Sequence, residues 1–126
     1  MATQMSSARR GIATDEMKQV AKDEDVTLDW LIQKVAKGSI IIPSNNVRPQ
    51  KIHNVGIGNG MKTKVNVNIG TSTLNVNVEE EVEKAKVAVK YHADTIMDLS
   101  DGGDVGSIRR TLLDTAPITF GTVPIY

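Results

Sequence analysis

The chain has 126 residues, no cysteine, and 15 basic and 15 acidic side chains, so its formal net charge is zero. The length predicts one domain, and the neutral charge argues against a nucleic-acid-binding surface, which needs an excess of Lys and Arg. Without cysteine, the chain has no thiolate for an iron–sulfur cluster or a zinc site, no disulfide and no cysteine nucleophile.

Hydropathy predicts a soluble, cytoplasmic protein with no membrane partner. No apolar run approaches the roughly 20 residues of a membrane span, and the polar N-terminus lacks the apolar core of a signal peptide.

The first part of the chain predicts two amphipathic helices and a short strand. Thr14 is a typical N-cap, and the acidic residues after it favour the start of a helix. Thr27 can cap a second helix, whose apolar residues recur at helical spacing until Gly38, at the position of a left-handed C-cap. Residues 40–42 are three isoleucines, which predict a strand that Pro43 ends.

A loop predicted over residues 44–60 marks a boundary. This segment is rich in Asn, Gly and Pro, and a loop of this length is unusual within a compact domain. We therefore expect an N-terminal helical region with its loop at residues 1–60 and an α/β region at residues 61–126. The glycines at 56–60 lack the spacing of a nucleotide-binding loop and indicate a flexible turn.

The second region predicts strand and helix in alternation. Residues 64–69, 94–99 and 118–123 predict strands, while Asn77 and Asp104 are the N-caps of the two helices between them. The order β-α-β-α-β is typical of a parallel sheet with right-handed crossovers.

Candidate binding residues lie near the ends of these strands. Asn68, Met97 and Tyr126 follow one another at equal intervals of 29 residues. Equal intervals would put them at one height near the carboxyl ends of the strands, where parallel α/β folds bind ligands. Asn66 shares the face of Asn68, and the pattern leaves two interpretations of this polar row open, the lining of a site or the solvated face of an edge strand.

Other polar clusters have structural interpretations. The segment 100–104 resembles an anion-binding turn, but its aspartates would repel an anion, so we interpret it as a βα turn with a helix cap. The run Glu79–Glu81 indicates a solvent-exposed first helical turn. His53 and His92 have no metal-ligand spacing, so we predict no metal site and no catalytic residue in this chain.

Three segments stand in order along the second region, KVNVNIG at 64–70, ADTIMDLS at 93–100 and GTVPIY at 121–126. Through these segments, and through further similar segments within 3–17 and 35–43, the chain resembles the phosphomethylpyrimidine synthase family of thiamine biosynthesis (ThiC). The resemblance therefore covers essentially the whole chain.

The resemblance implies a radical S-adenosylmethionine lyase that converts aminoimidazole ribotide to hydroxymethylpyrimidine phosphate, with release of carbon monoxide and formate. It implies an N-terminal domain before a (β/α)₈ barrel of the TIM type, in a homodimer. By motif, the substrate contacts of the family fall on Asn68, Met97 and Tyr126. Asn68 would hydrogen-bond the substrate, Met97 would pack against it, and Tyr126 could do both.

The chain also departs from the family. Full-length members bind a 4Fe–4S cluster through three C-terminal cysteines and a divalent metal such as zinc through two later histidines, and this chain has neither motif. Val67 and His92 stand where the family commonly has Ala and Gly.

Three parallel strands alone would leave sheet edges and faces unprotected. We therefore predict an N-terminal fragment that contains the helical region and the first three barrel strands, binds no cofactor alone and is inactive by itself. The alternative is a stand-alone, non-catalytic α/β binding or dimerisation module.

Overall fold

A computed structural model describes residues 3–48 and 51–123, and the chain forms two compact units. One contains the chain up to Asn46 together with Asn54–Thr63, and the other contains Val47–His53 and the chain from Lys64 onward. In the described ranges, no helix is long and apolar enough to cross a membrane.

Three helices and a small ribbon make up the described part of the first unit. The helices are α1 (Gln4–Arg9), α2 (Asp15–Glu24) and α3 (Leu28–Ala36), and β1 (Ile40–Ile41) pairs antiparallel with β2 (Ile57–Gly58). Their core is aliphatic and contains the buried residues Ala8, Met17, Val20, Ala21, Leu31, Val35, Ile40 and Ile42.

The predicted ends of α2 and α3 agree with the structure. Thr14 Oγ1 accepts a hydrogen bond from the N–H of Met17 at 3.2 Å, which confirms this N-cap. Gly38 has φ 74° after the end of α3, a left-handed conformation that glycine adopts without strain. Thr27 occupies the N-cap position of α3 but makes no side-chain hydrogen bond there.

Two elements of the first unit differ from the expectation. The sequence pattern gives no signal for α1, a helix of 6 residues whose N-cap Thr3 accepts the N–H of Ser6 at 3.1 Å. The prediction of a continuous loop over residues 44–60 is wrong at β2, which pairs Ile57 with Ile41. Two residues, one of them glycine, are too few to show the alternation that identifies a strand.

The second unit is built on a three-stranded parallel sheet. Its strands β3 (Asn66–Ile69), β4 (Thr95–Asp98) and β5 (Thr119–Thr122) are adjacent in chain order and are joined through α4 (Val78–Lys90) and α5 (Val105–Thr115). The predicted β-α-β-α-β order and the α/β class are therefore confirmed.

The helices of this unit cover one face of the sheet. Ile69, Ile96 and Ile118 pack in one core cluster with Ala85 of α4 and Leu112 of α5. Side chains alternate between the two faces along a strand, so the intervening residues of each strand point to the other face.

Both predicted helix caps in this unit are confirmed. Asn77 Oδ1 accepts the N–H of Glu80 at 3.1 Å, and Asp104 Oδ1 accepts the N–H of Ser107 at 3.1 Å. These bonds satisfy backbone donors that the first helical turn leaves without a partner.

The carboxyl end of α5 is capped by a distant residue. The guanidinium of Arg48 donates to the carbonyls of Ala116 at 2.6 Å and Ile118 at 3.0 Å, and also to that of Leu113. Burial lowers the pKa of Arg48 from its ordinary value. A cation beside these carbonyls is favourable because the carboxyl end of a helix carries partial negative charge.

Candidate functional site

The sheet face opposite the helices carries the candidate binding residues in two rows. We call the row nearer the carboxyl ends of the strands the upper row, and the other the lower row. The lower row contains Asn66, Thr95 and Thr119, and the upper row contains Asn68, Met97 and Gly121.

Two of the three predicted site residues are neighbours across the sheet. Asn68 and Met97 are partners in the β3–β4 register, which confirms their predicted equal height. The partner of Met97 on β5 is Gly121, so the interval of 29 residues does not relate β4 to β5. Tyr126 lies outside the described residues.

Gly121 makes room for the side chain of Met97. A β-carbon added to Gly121 would lie 3.1 Å from Met97 Cε and 3.2 Å from Met97 Sδ, closer than the usual carbon contact of about 3.5–4.0 Å. Sequence reasoning did not identify Gly121, although a glycine inside a strand pattern is a signal for close approach.

Hydrogen bonds connect three side chains on this face. Thr95 Oγ1 donates to Asn66 Oδ1 at 2.7 Å, and Asn66 Nδ2 donates to Asn68 Oδ1 at 2.8 Å. Within the part of the chain that the structure describes, Asn68 Nδ2 has no protein acceptor. Thr119 Oγ1 is buried there without a hydrogen-bond partner.

Glu81 fixes the chain just after β3. It is 3% exposed, and its carboxylate accepts the N–H of Gly70 at 2.7 Å and pairs with Lys84 Nζ at 2.7 Å. The expectation of a solvent-exposed acidic turn is therefore wrong for Glu81. It lies one helical turn before the core residue Ala85 and so shares the inward face of α4.

Asp98 and Ser100 join the loops that follow β3 and β4. Asp98 is 0% exposed and accepts bonds from Ser100 N at 3.0 Å, Ser100 Oγ at 2.6 Å and Arg109 Nε at 2.9 Å. Ser100 Oγ accepts the N–H of Thr71 at 3.1 Å, and Thr71 Oγ1 donates to the carbonyl of Gly102 at 2.7 Å. The edge beside the upper row is thus held by buried polar contacts, and the segment 100–104 is a βα turn leading to the α5 cap, as predicted.

The residues present do not fit an iron–sulfur cluster or a metal ion. The chain contains no cysteine, and the described ranges hold no group of three or more His, Cys, Asp or Glu side chains that could bind a metal. The N–H of His53 donates to the carbonyl of Pro117 at 3.1 Å. His92 follows α4 with φ 59°, a left-handed conformation that favours glycine.

Known proteins match nearly the whole chain. A profile of the Radical SAM ThiC family matches residues 3–126. Phosphomethylpyrimidine synthase 1 of Methanothermobacter thermautotrophicus is 52% identical over 98% of this chain and 28% of its own length. The phosphomethylpyrimidine synthases of Pyrococcus furiosus and Thermus thermophilus are 53% and 50% identical over 98% of this chain, which covers 29% and 28% of their lengths.

The chain therefore spans between a quarter and a third of the length of these relatives. The family profile covers all but the first two residues of the chain. On these matches, the chain belongs to the Radical SAM ThiC family.

Proposed function

We propose that this chain is the N-terminal part of a phosphomethylpyrimidine synthase of thiamine biosynthesis. The complete enzyme would convert aminoimidazole ribotide to hydroxymethylpyrimidine phosphate as a radical S-adenosylmethionine lyase. The observation that carries this proposal is 50–53% identity, over 98% of the chain, to proteins named for this activity.

In this proposal, residues 1–60 form the N-terminal region and residues 61–126 begin a (β/α)₈ barrel. A parallel sheet with helices on one face and polar side chains on the other is the arrangement of a barrel wall. The outer edge of β3 supports the proposal, because Val65, Val87 and Tyr91 near it are 59%, 51% and 73% exposed. Closure of a barrel would cover this edge and enclose the polar face.

Asn68, Met97 and Tyr126 are the proposed substrate contacts. The register of Asn68 with Met97 supports this assignment, since both face away from the helices near the carboxyl ends of their strands. The amide of Asn68 would hydrogen-bond the substrate, and the thioether of Met97 would pack against it.

The radical chemistry is assigned to the remainder of the enzyme. S-adenosylmethionine, a 4Fe–4S cluster and a divalent metal such as zinc would be held by residues beyond the 126 of this chain, which has no cysteine. The role of the chain is to bind and orient the substrate. The complete enzyme is proposed to be a cytoplasmic homodimer.

Turnover assays test whether the radical chemistry requires the remainder of the enzyme. The 126-residue chain, supplied with S-adenosylmethionine, a reductant and cluster-reconstitution reagents, is expected to form no hydroxymethylpyrimidine phosphate, whereas the complete protein that carries it is expected to form it. Product formation by the chain alone would contradict the proposal, as would a complete protein without activity.

The exposed β3 edge also favours the alternative of a non-catalytic dimerisation module. Sedimentation velocity of the 126-residue chain addresses this alternative. A stable dimer of the chain, together with a complete protein that lacks synthase activity, would favour the module over the enzyme.

A further inference from the structure

We propose that Asn66 and Thr95 are positioning residues that orient the amide of Asn68, so that Asn68 Nδ2 donates to an acceptor atom of the ligand. This inference rests on the proposed function, because it takes Asn68 as a substrate contact. It adds two residues of the lower row to the site and assigns the direction of the hydrogen bond to the ligand.

The positioning contacts are two consecutive hydrogen bonds, the first from β4 to β3 and the second along β3. Thr95 Oγ1 donates to Asn66 Oδ1 at 2.7 Å, and Asn66 Nδ2 donates to Asn68 Oδ1 at 2.8 Å. Both distances are within the normal range for side-chain hydrogen bonds. Since Asn66 and Thr95 are register partners, the backbone pairing of the two strands places the donor and the acceptor of the first hydrogen bond beside each other.

The second bond determines which group Asn68 presents. An asparagine side chain has an acceptor oxygen and an NH₂ donor. Asn66 engages the oxygen, while Asn68 Nδ2 has no protein acceptor in the described ranges. The oxygen keeps a second lone pair, but the NH₂ group is the part of the amide that no protein atom engages in the described ranges. We therefore assign this uncharged N–H donor to the ligand, where its partner is a phosphate oxygen, a hydroxyl oxygen or an unprotonated ring nitrogen.

The contacts also explain how an exposed side chain on an open sheet face can contribute to the affinity for a ligand. Asn68 is exposed, and a free asparagine amide on such a face rotates and loses conformational entropy when it binds. A neighbour that fixes the amide before binding reduces that loss. Asn66 and Thr95 would thus raise affinity without touching the ligand.

Substitutions in the complete protein, titrated with aminoimidazole ribotide, test the positioning role. Thr95→Val removes the hydroxyl and keeps the shape, and Asn66→Ala removes the bond to Asn68. Each is expected to weaken binding roughly three- to tenfold, the effect of losing one ordinary hydrogen bond. Thr95→Ser keeps the hydroxyl and is expected to restore affinity to within about twofold.

The matched control is Thr111→Val, on the exposed side of α5, where Thr111 Oγ1 donates to the carbonyl of Ser107 at 3.2 Å. It removes a hydrogen-bonded hydroxyl on the helix side of the sheet and is expected to leave affinity unchanged. Circular dichroism melting of each variant verifies that it is folded. Equal weakening by Thr95→Val and Thr111→Val would overturn the positioning role.

A double-variant cycle separates this proposal from the proposed substrate contact. If Thr95 acts through Asn68, then Thr95→Val has no further effect on affinity in an Asn68→Ala background. Unchanged affinity in Asn68→Ala alone would show that the proposed substrate contact is wrong. Weakened affinity in Asn68→Ala with normal affinity in Thr95→Val and Asn66→Ala would overturn only the positioning role.

Asn68→Asp tests the direction of the bond. A carboxylate can still accept from Asn66, but it has no N–H to donate to the ligand. Binding to Asn68→Asp is expected to be at least as weak as binding to Asn68→Ala. Affinity equal to or above that of the unmodified protein would overturn the assignment of Asn68 as a donor.

Discussion

The side chain of Met97 depends on the absence of a side chain at Gly121. Gly121→Ala would place a methyl group 3.1 Å from Met97 Cε and 3.2 Å from Met97 Sδ. We expect the thioether to shift and substrate binding by the complete protein to weaken by roughly two- to fivefold, because one methylene-sized packing change is worth about 1 kcal/mol. Titration with aminoimidazole ribotide measures the change.

Gly106→Ala is the matched control for this change. Gly106 lies in α5, and an added β-carbon would have its nearest contacts at 3.5 and 3.7 Å, an ordinary separation. We expect normal affinity and a small gain in stability, because Gly106 lies in the first turn of α5, where the better helix propensity of alanine counts for less than in a helix interior. Normal affinity in Gly121→Ala as well would show that the Met97 side chain does not contribute to binding.

The buried carboxylate of Asp98 forms an ion pair with Arg109. Its side chain is 0% exposed, and Arg109, whose side chain is 29% exposed, is its ion-pair partner at 2.9 Å. Arg109→Ala would leave a buried negative charge without that partner and is expected to lower the free energy of unfolding of the chain by about 3 kcal/mol. Urea-induced unfolding followed by circular dichroism measures it.

Arg110→Ala removes the next side chain of the same helix, which is exposed. It is expected to change the free energy of unfolding by less than about 0.5 kcal/mol. If both arginine variants lost the same stability, the ion pair with Asp98 would not be the cause.

At the residue scale, sequence reasoning predicts the positions that follow strand geometry and does not find those that follow side-chain contacts. Asn68 and Met97 are register partners, as the interval of 29 residues predicts for β3 and β4. Gly121 and the buried Glu81 acquire their roles from neighbours on other elements. Local patterns place Glu81 on the inward face of α4 and mark Gly121 as a glycine within a strand, but they do not identify the groups that the two residues contact.

At the scale of elements, the ion pairs of Lys84 within α4 make a contribution to stability that depends on pH. The hydrogen bonds that Lys84 Nζ donates, first to the carboxylate of Glu81 and then to that of Glu80, raise the pKa of Lys84 above the ordinary value of 10.5. A raised pKa in the folded state means that protonation of Lys84 favours folding. This contribution is fully present below pH 10.5 and is lost as the pH rises through the folded-state pKa.

The difference in unfolding free energy between the chain and its Lys84→Met variant measures this contribution. We expect it to be constant from neutral pH up to the ordinary lysine value and to decrease above it. A difference that increases in alkaline solution would contradict the assignment.

Lys86→Met provides a control on the same helix. Lys86 pairs with Glu83 at 2.6 Å, with both side chains mostly exposed, at 57% and 68%, whereas the side chain of Glu81 is 4% exposed. Exposed ion pairs contribute little, so this variant is expected to lose less stability than Lys84→Met.

Helices with a polar cap and an apolar stripe are the elements that the sequence predicts well. Thr14, Asn77 and Asp104 all cap the helices assigned to them. The six-residue α1 and the two-residue β2 are missed because each is shorter than the stretch of sequence over which helical or strand periodicity can be recognised. Such short elements depend on contacts within the first unit rather than on their own propensity.

At the scale of the whole molecule, the two faces of the three-stranded sheet differ. Helices cover one of its faces, and the other carries Asn68 and Met97. The alternation of strands and helices in the sequence is enough to predict a parallel sheet. This alternation does not identify the elements that would cover the polar face and the β3 edge. Closure into a barrel is therefore proposed from family membership and from the exposed edge.

We have proposed that the polar face of this sheet contacts the substrate of a phosphomethylpyrimidine synthase. Isothermal titration of aminoimidazole ribotide into the complete protein and its Asn68→Ala variant tests it most directly, with Arg110→Ala as a control on the helix side. We predict roughly tenfold weaker binding for Asn68→Ala and unchanged binding for the control. Unchanged binding in Asn68→Ala would contradict the account.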